Sequence, residues 1–183
     1  IIFGGKSRER EISFAGGRTV YDNLNKSLFE AIPIFVDSFG NFILLEWQYV
    51  YKGSIRDFYP PANSFSPSKY GFQMYAESLG KLSEAEQNKL INEVGKKINP
   101  AELSQIIDFA FLTLHGAYGE DGSIQGLLQF LGVPYTASGI LPSAIGMDKS
   151  FQKYLMKGAS FNIPEFSIIQ RHKWLSSNLE TKK

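Results

Sequence analysis

The side chains most able to do chemistry cluster in two glycine turns. "HGAYGEDG", residues 115–122, follows an apolar run and carries His115, Glu120 and Asp121. "GGKSRERE", residues 4–11, follows another apolar run and carries Glu9 among alternating charges. A histidine and two acids in one turn can bind, orient or move protons. Structural readings stand beside these: "SRERE" as a solvated charge run, His115 as a satisfied turn histidine, and Glu120 and Asp121 as acids favouring the helix N-terminus that follows. Lys149 lies near a helix start, where the dipole disfavours a cation, and that conflict points towards a ligand phosphate.

These turns need elements to hold them. "IIFGG" reads as a short buried strand. "ISFAGGRTVYDNLNK" reads as a helix, with Ser13 as its N-cap, Phe14, Val20, Tyr21 and Leu24 towards the core, and Gly16 and Gly17 as its weak points. "EAIPIFVD" reads as a second strand, paired through a "GN" turn at 40–41 with "NFILLE". "PPANSFSPSKYGF" reads as loop. "SEAEQNKLINEVGKKI" opens on a capping box, Ser83 with Glu86, and reads as one helix with Leu90, Ile91 and Val94 on a face. "FAFLTLHG" reads as an apolar strand buried on both faces. Ile124, Leu127, Leu128 and Leu131 recur at helical spacing, with Gly132 as the C′ residue. "VPYT" is a short strand, "MDKSFQKYLMKG" a helix ending at Gly158, and "IPEFSIIQ" a further strand.

The alternation predicts an α/β fold, a doubly wound, mostly parallel sheet over residues 1–142, with an inserted hairpin, loop and helix region around 38–100. A second unit covers 143–183. Ligands of open α/β sheets bind beyond the carboxyl ends of the strands, which is where both turns lie, and adjacent parallel strands would bring the turns together. Asp37, ending the second strand, could imitate a ribose-binding acid. However, "GG" is not a G-x-G-x-x-G fingerprint, and Arg8 and Glu9 stand where a dinucleotide site needs glycine.

Composition narrows the classes. The chain of 183 residues is 43% hydrophobic, and 19 basic against 18 acidic side chains leave a net charge of +1. That balance makes no electrostatic case for nucleic acid or an anionic membrane. With no cysteine, disulfides, thiolate nucleophiles and cysteine metal sites are excluded, and two histidines argue against a histidine-rich zinc site. No apolar run approaches the roughly 20 residues of a spanning helix. An intracellular enzyme fits. Ile1 in place of Met, and the polar "SSNLETKK" at the other end, suggest a chain that continues in both directions. His172 has no motif around it and reads as a surface residue.

Three stretches in this order, "FGGKSREREIS", "LHGAYGEDGSIQGLLQFLGVPYTASG" and "SAIGMDKSFQKYLMKGASFNIPEF", resemble the D-alanine–D-alanine ligases of the ATP-grasp superfamily. The resemblance covers most of 1–48 and 109–169; residues 50–105 are not diagnostic. It implies a Rossmann-like pre-ATP-grasp domain over 1–142 and the first elements of a central ATP-grasp domain from 143. It also implies an ATP- and Mg2+-dependent, cytoplasmic enzyme that joins two D-alanines through a D-alanyl phosphate for peptidoglycan synthesis. Glu9 matches the acid that holds the ammonium of the first D-alanine. His115 matches the histidine beside that substrate, Glu120 the acid that orients this histidine, and Lys149 a lysine that contacts ATP. The implied partners are D-alanine, ATP and a second copy in a homodimer, with no nucleic acid and no membrane. The phosphate loop, the metal ligands and the arginine for the second D-alanine are expected beyond residue 183, so this stretch alone is expected to be inactive. Two other readings stay open: a D-alanine–D-lactate ligase, and a non-catalytic binding or dimerisation module.

Overall fold

The computed structural model describes residues 1–51 and 83–176. The central strand β1 (Ile2–Gly4) pairs in parallel with β2 (Ile34–Val36). β2 turns back into β3 (Phe42–Leu45), and β4 (Gly95–Ile98) pairs antiparallel with β3, giving the order β1-β2-β3-β4. Beyond β1 the sheet continues through parallel bridges, Ile2 with Leu112 and Ala110 with Tyr135. The parallel half therefore runs from Tyr135 through 110–112 and β1 to β2, and the antiparallel hairpin extends it.

Consecutive strand residues face opposite sides, and both sides are filled. On one, Phe3, Phe14 and Phe35 form a ring cluster with centroids 5.3, 5.9 and 6.2 Å apart, joined by Ile43, Leu45, Ile91 and Val94. This is the face of α1 (Arg10–Asn23) and α2 (Glu84–Val94). On the other, Ile2, Ile34 and Val36 pack with Leu103 of the short α3 (Leu103–Ile106) and with Ile124 and Leu128 of α4 (Ser123–Phe130). Helices on both faces make the domain doubly wound. α1 leads from β1 to β2 and α4 leads from 109–114 to Tyr135, so the winding reverses between β1 and residues 109–114. That position is the topological switch point, where open sheets leave a crevice.

The capping box of α2 is present, Ser83 Oγ accepting from Glu86 N while Glu86 Oε2 accepts from Ser83 N. The "GN" hairpin forms as expected. Asp37 is buried and braces it: Oδ1 accepts from the N–H groups of Phe39 and Asn41, and Oδ2 from Asn41 Nδ2, each at 2.8 Å. Burial pushes the Asp37 carboxyl up, against these hydrogen bonds.

Other expectations are corrected. Ser13 is not an N-cap: α1 begins at Arg10, and Ser13, fully buried inside it, accepts the N–H of Gly4 at 2.8 Å. The helix from Ser83 stops at Val94, and "GKKI" is β4, because β3 offers a ladder that outweighs helical periodicity. Gly95 makes that pairing possible, since a Cβ there would run into the Leu44 carbonyl. The run 109–114 joins the sheet only through bridges, and it is not buried on both faces: Phe109 and Phe111 stay 52% and 37% exposed. "MDKSFQKYLMKG" breaks at Asp148. Met147 ends a helix missed in the sequence, α5 (Ile140–Met147), and Asp148 caps α6 (Lys149–Gly158) by accepting from Ser150 and Phe151. "IPEFSIIQ" forms no strand, because a strand needs a ladder partner and none lies beside it among the described residues; Ile168 and Ile169 are exposed, and α7 (Arg171–Ser176) follows. His172 is exposed on α7. The loop expected over 60–72 lies outside the described residues. No helix among those described is long and apolar enough to cross a membrane.

The two glycines of α1 should behave oppositely. A Cβ at Gly17 would stand 2.6 Å from Phe3 Cγ, whereas one at Gly16 would rest 3.5 Å from Thr113 Cβ, an ordinary contact. Overpacking costs about 1–3 kcal/mol, and replacing a mid-helix glycine by alanine returns about 0.5–1 kcal/mol. Gly17→Ala is expected to lower the urea midpoint by the equivalent of about 1–2 kcal/mol, and Gly16→Ala to hold or raise it. Equal midpoints for the two variants would contradict this packing.

Candidate functional site

The first turn leaves β1 through Gly4 and Gly5, both at positive φ (93° and 105°). Glycine is required at the first: a Cβ on Gly4 would strike the Val36 carbonyl and lie 2.6 Å from the Phe35 ring. The chain then rises to Ser7 and Glu9, and Glu9 is the residue before α1. Arg10, 4% exposed, turns its guanidinium back under the turn, with Nε donating to Ser7 O at 3.1 Å and Nη2 to Lys6 O at 3.5 Å.

The second turn is closed by its own acids. Glu120 Oε2 accepts the N–H of Gly116 at 2.6 Å, and Oε1 stands 3.7 Å from His115 Nδ1. That distance suits an ion pair with a protonated ring and is longer than a direct hydrogen bond. Asp121 accepts from Tyr118 N at 2.8 Å and Ser123 N at 3.0 Å, tying the turn to the start of α4. Partial burial pushes its carboxyl up, but these hydrogen bonds together hold it below the usual range. Tyr118 is held at φ 67°, a region that non-glycine residues seldom occupy.

The structure brings the two turns together. Ser7 Oγ donates to His115 O at 2.6 Å. A Cβ at Gly116 would stand 2.8 Å from Ser7 Cβ and 2.9 Å from Glu9 Oε2, so the Glu9 carboxylate lies against the residue after His115. Beside this contact opens a cavity of about 200 Å3, lined by His115, Lys6, Gly40, Phe42, Tyr118 and Leu127 among others. The Lys6 ammonium lies 5.2 Å from the Tyr118 ring centre.

Of the residues singled out in the sequence, Glu120 stands beside His115 and Glu9 lies against Gly116, and of these three only His115 lines the cavity. Lys149, the first residue of α6, is exposed and donates to Gly146 O at 3.0 Å. It is not among the residues lining the cavity. Asp37 belongs to the hairpin, not to a ribose site. Sequence reasoning missed Ser7, Arg10 and Gln125. Gln125 is buried and donates to Gly119 O at 3.0 Å. Its signal was available: a polar residue within the apolar stretch of an amphipathic helix.

A doubly wound α/β domain with polar turns meeting at its switch point is of the class that holds small ligands between loops. Within that class the comparisons are specific. The family model described as D-ala D-ala ligase N-terminus matches residues 1–138. The chain belongs to the D-alanine–D-alanine ligase family, as its N-terminal portion. It is 30% identical over 174 residues to the D-alanine–D-alanine ligase of Natranaerobius thermophilus, covering 95% of this chain and 42% of that protein. It is also 30% identical to D-alanine–D-alanine ligase A of Salmonella typhimurium, covering 93% and 43%. Similar folds occur in the D-alanine–D-alanine ligase of Coxiella burnetii (TM-score 0.58, 20% identity, 90% and 42% covered) and the VanG D-Ala:D-Ser ligase of Enterococcus faecalis (TM-score 0.61, 22% identity, 96% and 45% covered). The chain spans less than half the length of these relatives.

The brace by Glu120 is open to a direct test. Glu120→Ala leaves the buried Gly116 N–H without its acceptor, which costs about 1–3 kcal/mol in general and about 1 kcal/mol where, as at this half-exposed carboxylate, water can substitute. Glu120→Gln keeps an acceptor oxygen. Urea unfolding is expected to show alanine about 1 kcal/mol less stable and glutamine close to wild type; an unaffected alanine variant would mean that the bond is not holding the turn.

Proposed function

We propose that the full protein joins two D-alanines at the expense of ATP, and that these residues form the half of its site that holds the first D-alanine. The observation that carries this reading is the meeting of the two motif turns, Glu9 against Gly116 and Ser7 on His115, in a chain of the ligase family. Glu9 holds the substrate ammonium through charge-assisted hydrogen bonds. His115 lies beside the substrate carboxylate, where it hydrogen-bonds the reacting region and helps stabilise the acyl phosphate. Glu120 orients the ring and ties it to the turn. The carboxylate of the first D-alanine attacks the γ-phosphorus of ATP, releasing ADP and forming a D-alanyl phosphate. The amine of the second attacks that carbonyl, loses a proton and expels inorganic phosphate.

ATP reaches this portion through Lys149, whose ammonium is suited to a phosphate as a point charge. By the family resemblance, the magnesium ligands are assigned to chain beyond residue 183. The same reading places the enzyme in the bacterial cytoplasm, feeding peptidoglycan synthesis, and working as a homodimer.

The test uses the full-length protein and phosphate release from ATP that depends on D-alanine. Glu9 is exposed in these 183 residues, where an ion pair is worth about 1 kcal/mol or less. Covered by the rest of the chain, breaking the pair costs about 3–5 kcal/mol. Glu9→Gln is therefore expected to lower kcat/KM for the first D-alanine more than about a hundredfold. Near wild-type kinetics would return Glu9 to a solvated charge run. Residues 1–183 alone are expected to bind ATP weakly or not at all and to release no phosphate with D-alanine; micromolar ATP affinity by calorimetry would show a complete nucleotide site here.

A further inference from the structure

We infer that Ser7 is a positioning residue that sets the spacing between Glu9 and His115; the inference rests on the ligase reading above. A serine hydroxyl has one proton to donate and lone pairs to accept with. Ser7 directs both to the two residues that reading needs: Oγ donates to His115 O at 2.6 Å and accepts from Glu9 N at 3.2 Å. One side-chain atom thus joins backbones 106 residues apart in sequence, those of residues 9 and 115. The hydroxyl is itself held in place, because buried Arg10 donates Nε to the Ser7 carbonyl and its Nη2 reaches the Lys6 carbonyl. Gly116 completes the arrangement. A Cβ there would stand 2.8 Å from Ser7 Cβ and 2.9 Å from Glu9 Oε2, so the absence of a side chain sets how closely the turns approach.

Ser7 need not touch substrate for this role. Without its hydroxyl, the His115 carbonyl and the Glu9 N–H each lose a partner, and the sheet still brings the turns together but nothing fixes their fine spacing. A misplacement of about 1 Å can cost about a hundredfold in rate. The loss should fall on the substrate held between Glu9 and His115, and not on ATP.

In the full-length protein, Ser7→Ala is expected to raise KM for the first D-alanine at least tenfold and to lower kcat. KM for ATP should stay within twofold and the thermal midpoint within a few degrees. A merely structural serine would instead lower the midpoint and impair both substrates together, and that result overturns the inference, as does an unchanged KM for D-alanine in an active enzyme. If wild type releases no phosphate with D-alanine, the ligase reading fails and takes this inference with it; if wild type is active and Ser7→Ala matches it, only this inference fails. Should the alanine variant not fold, amide exchange of wild type decides: the Glu9 N–H is expected to exchange at least tenfold more slowly than an unprotected amide, and an unprotected Glu9 N–H overturns the inference.

Discussion

The structure depends on β1 being hydrogen-bonded on both edges. On one side Ile34 N donates to Ile1 O at 2.8 Å and Gly5 N to Val36 O at 2.7 Å; on the other, Ile2 N donates to Phe111 O at 2.8 Å and Thr113 N to Ile2 O at 3.0 Å. A strand of three residues has few groups to spend, and here they fix both neighbours in parallel register. Because the strands are parallel, the turns that leave them emerge at the same end. Everything at the site follows from that: Gly4–Glu9 leaves β1, His115–Glu120 leaves the run at 109–114, and the two cannot avoid each other. The hydrogen bond from Ser7 to His115 sharpens a proximity that the sheet has already imposed.

The glycines show how much of that proximity is steric. Gly4 and Gly5 let the first turn pass close to the end of β2, and Gly116 lets the second turn press on the first. Ser13 adds a polar term, accepting the Gly4 N–H inside the core and so pinning α1 to the strand it follows. Asp37 does the same for the hairpin, a buried carboxyl whose hydrogen bonds all stay within its own loop. In both, a buried polar group is retained because a backbone N–H would otherwise be left without a partner, at a cost of about 1–3 kcal/mol.

What could be read from the sequence was what local chemistry decides. The capping box at Ser83, the "GN" turn, the stripe of α4 and Gly132 at its end each follow from a few adjacent residues, and each is present. The meeting of the two turns that carry Glu9 and His115 was legible too, because strand order and loop position are coarse properties that alternation reveals. What escaped depended on distant partners. "GKKI" is a strand because β3 lies beside it, and "IPEFSIIQ" is not one because nothing described does. Ser13 looked like a cap because a serine before an apolar run usually is one; only the neighbouring Gly4 N–H tells otherwise. Ser7 and Arg10 were hidden within a charged stretch, where composition cannot distinguish a buried guanidinium from a solvated one.

The exposure of the site sets the last physical condition. Glu9 is exposed, and the His115 and Glu120 side chains are 39% and 47% exposed. Two unit charges 4 Å apart interact by about 1 kcal/mol in water and about 4 kcal/mol at an effective dielectric of 20. At 3.7 Å, the His115–Glu120 pair lies near the weak end of that range when the ring is protonated and water reaches it. The geometry set by the sheet is therefore necessary for the proposed chemistry but leaves its electrostatics unused. Glu9 can hold an ammonium firmly, and His115 can favour a developing phosphate, only where water is displaced from both turns. In the proposed enzyme that displacement falls to whatever covers the two turns when substrate is bound. The division of labour is then physical: the sheet sets where the groups stand, and the exclusion of water sets how strongly they act.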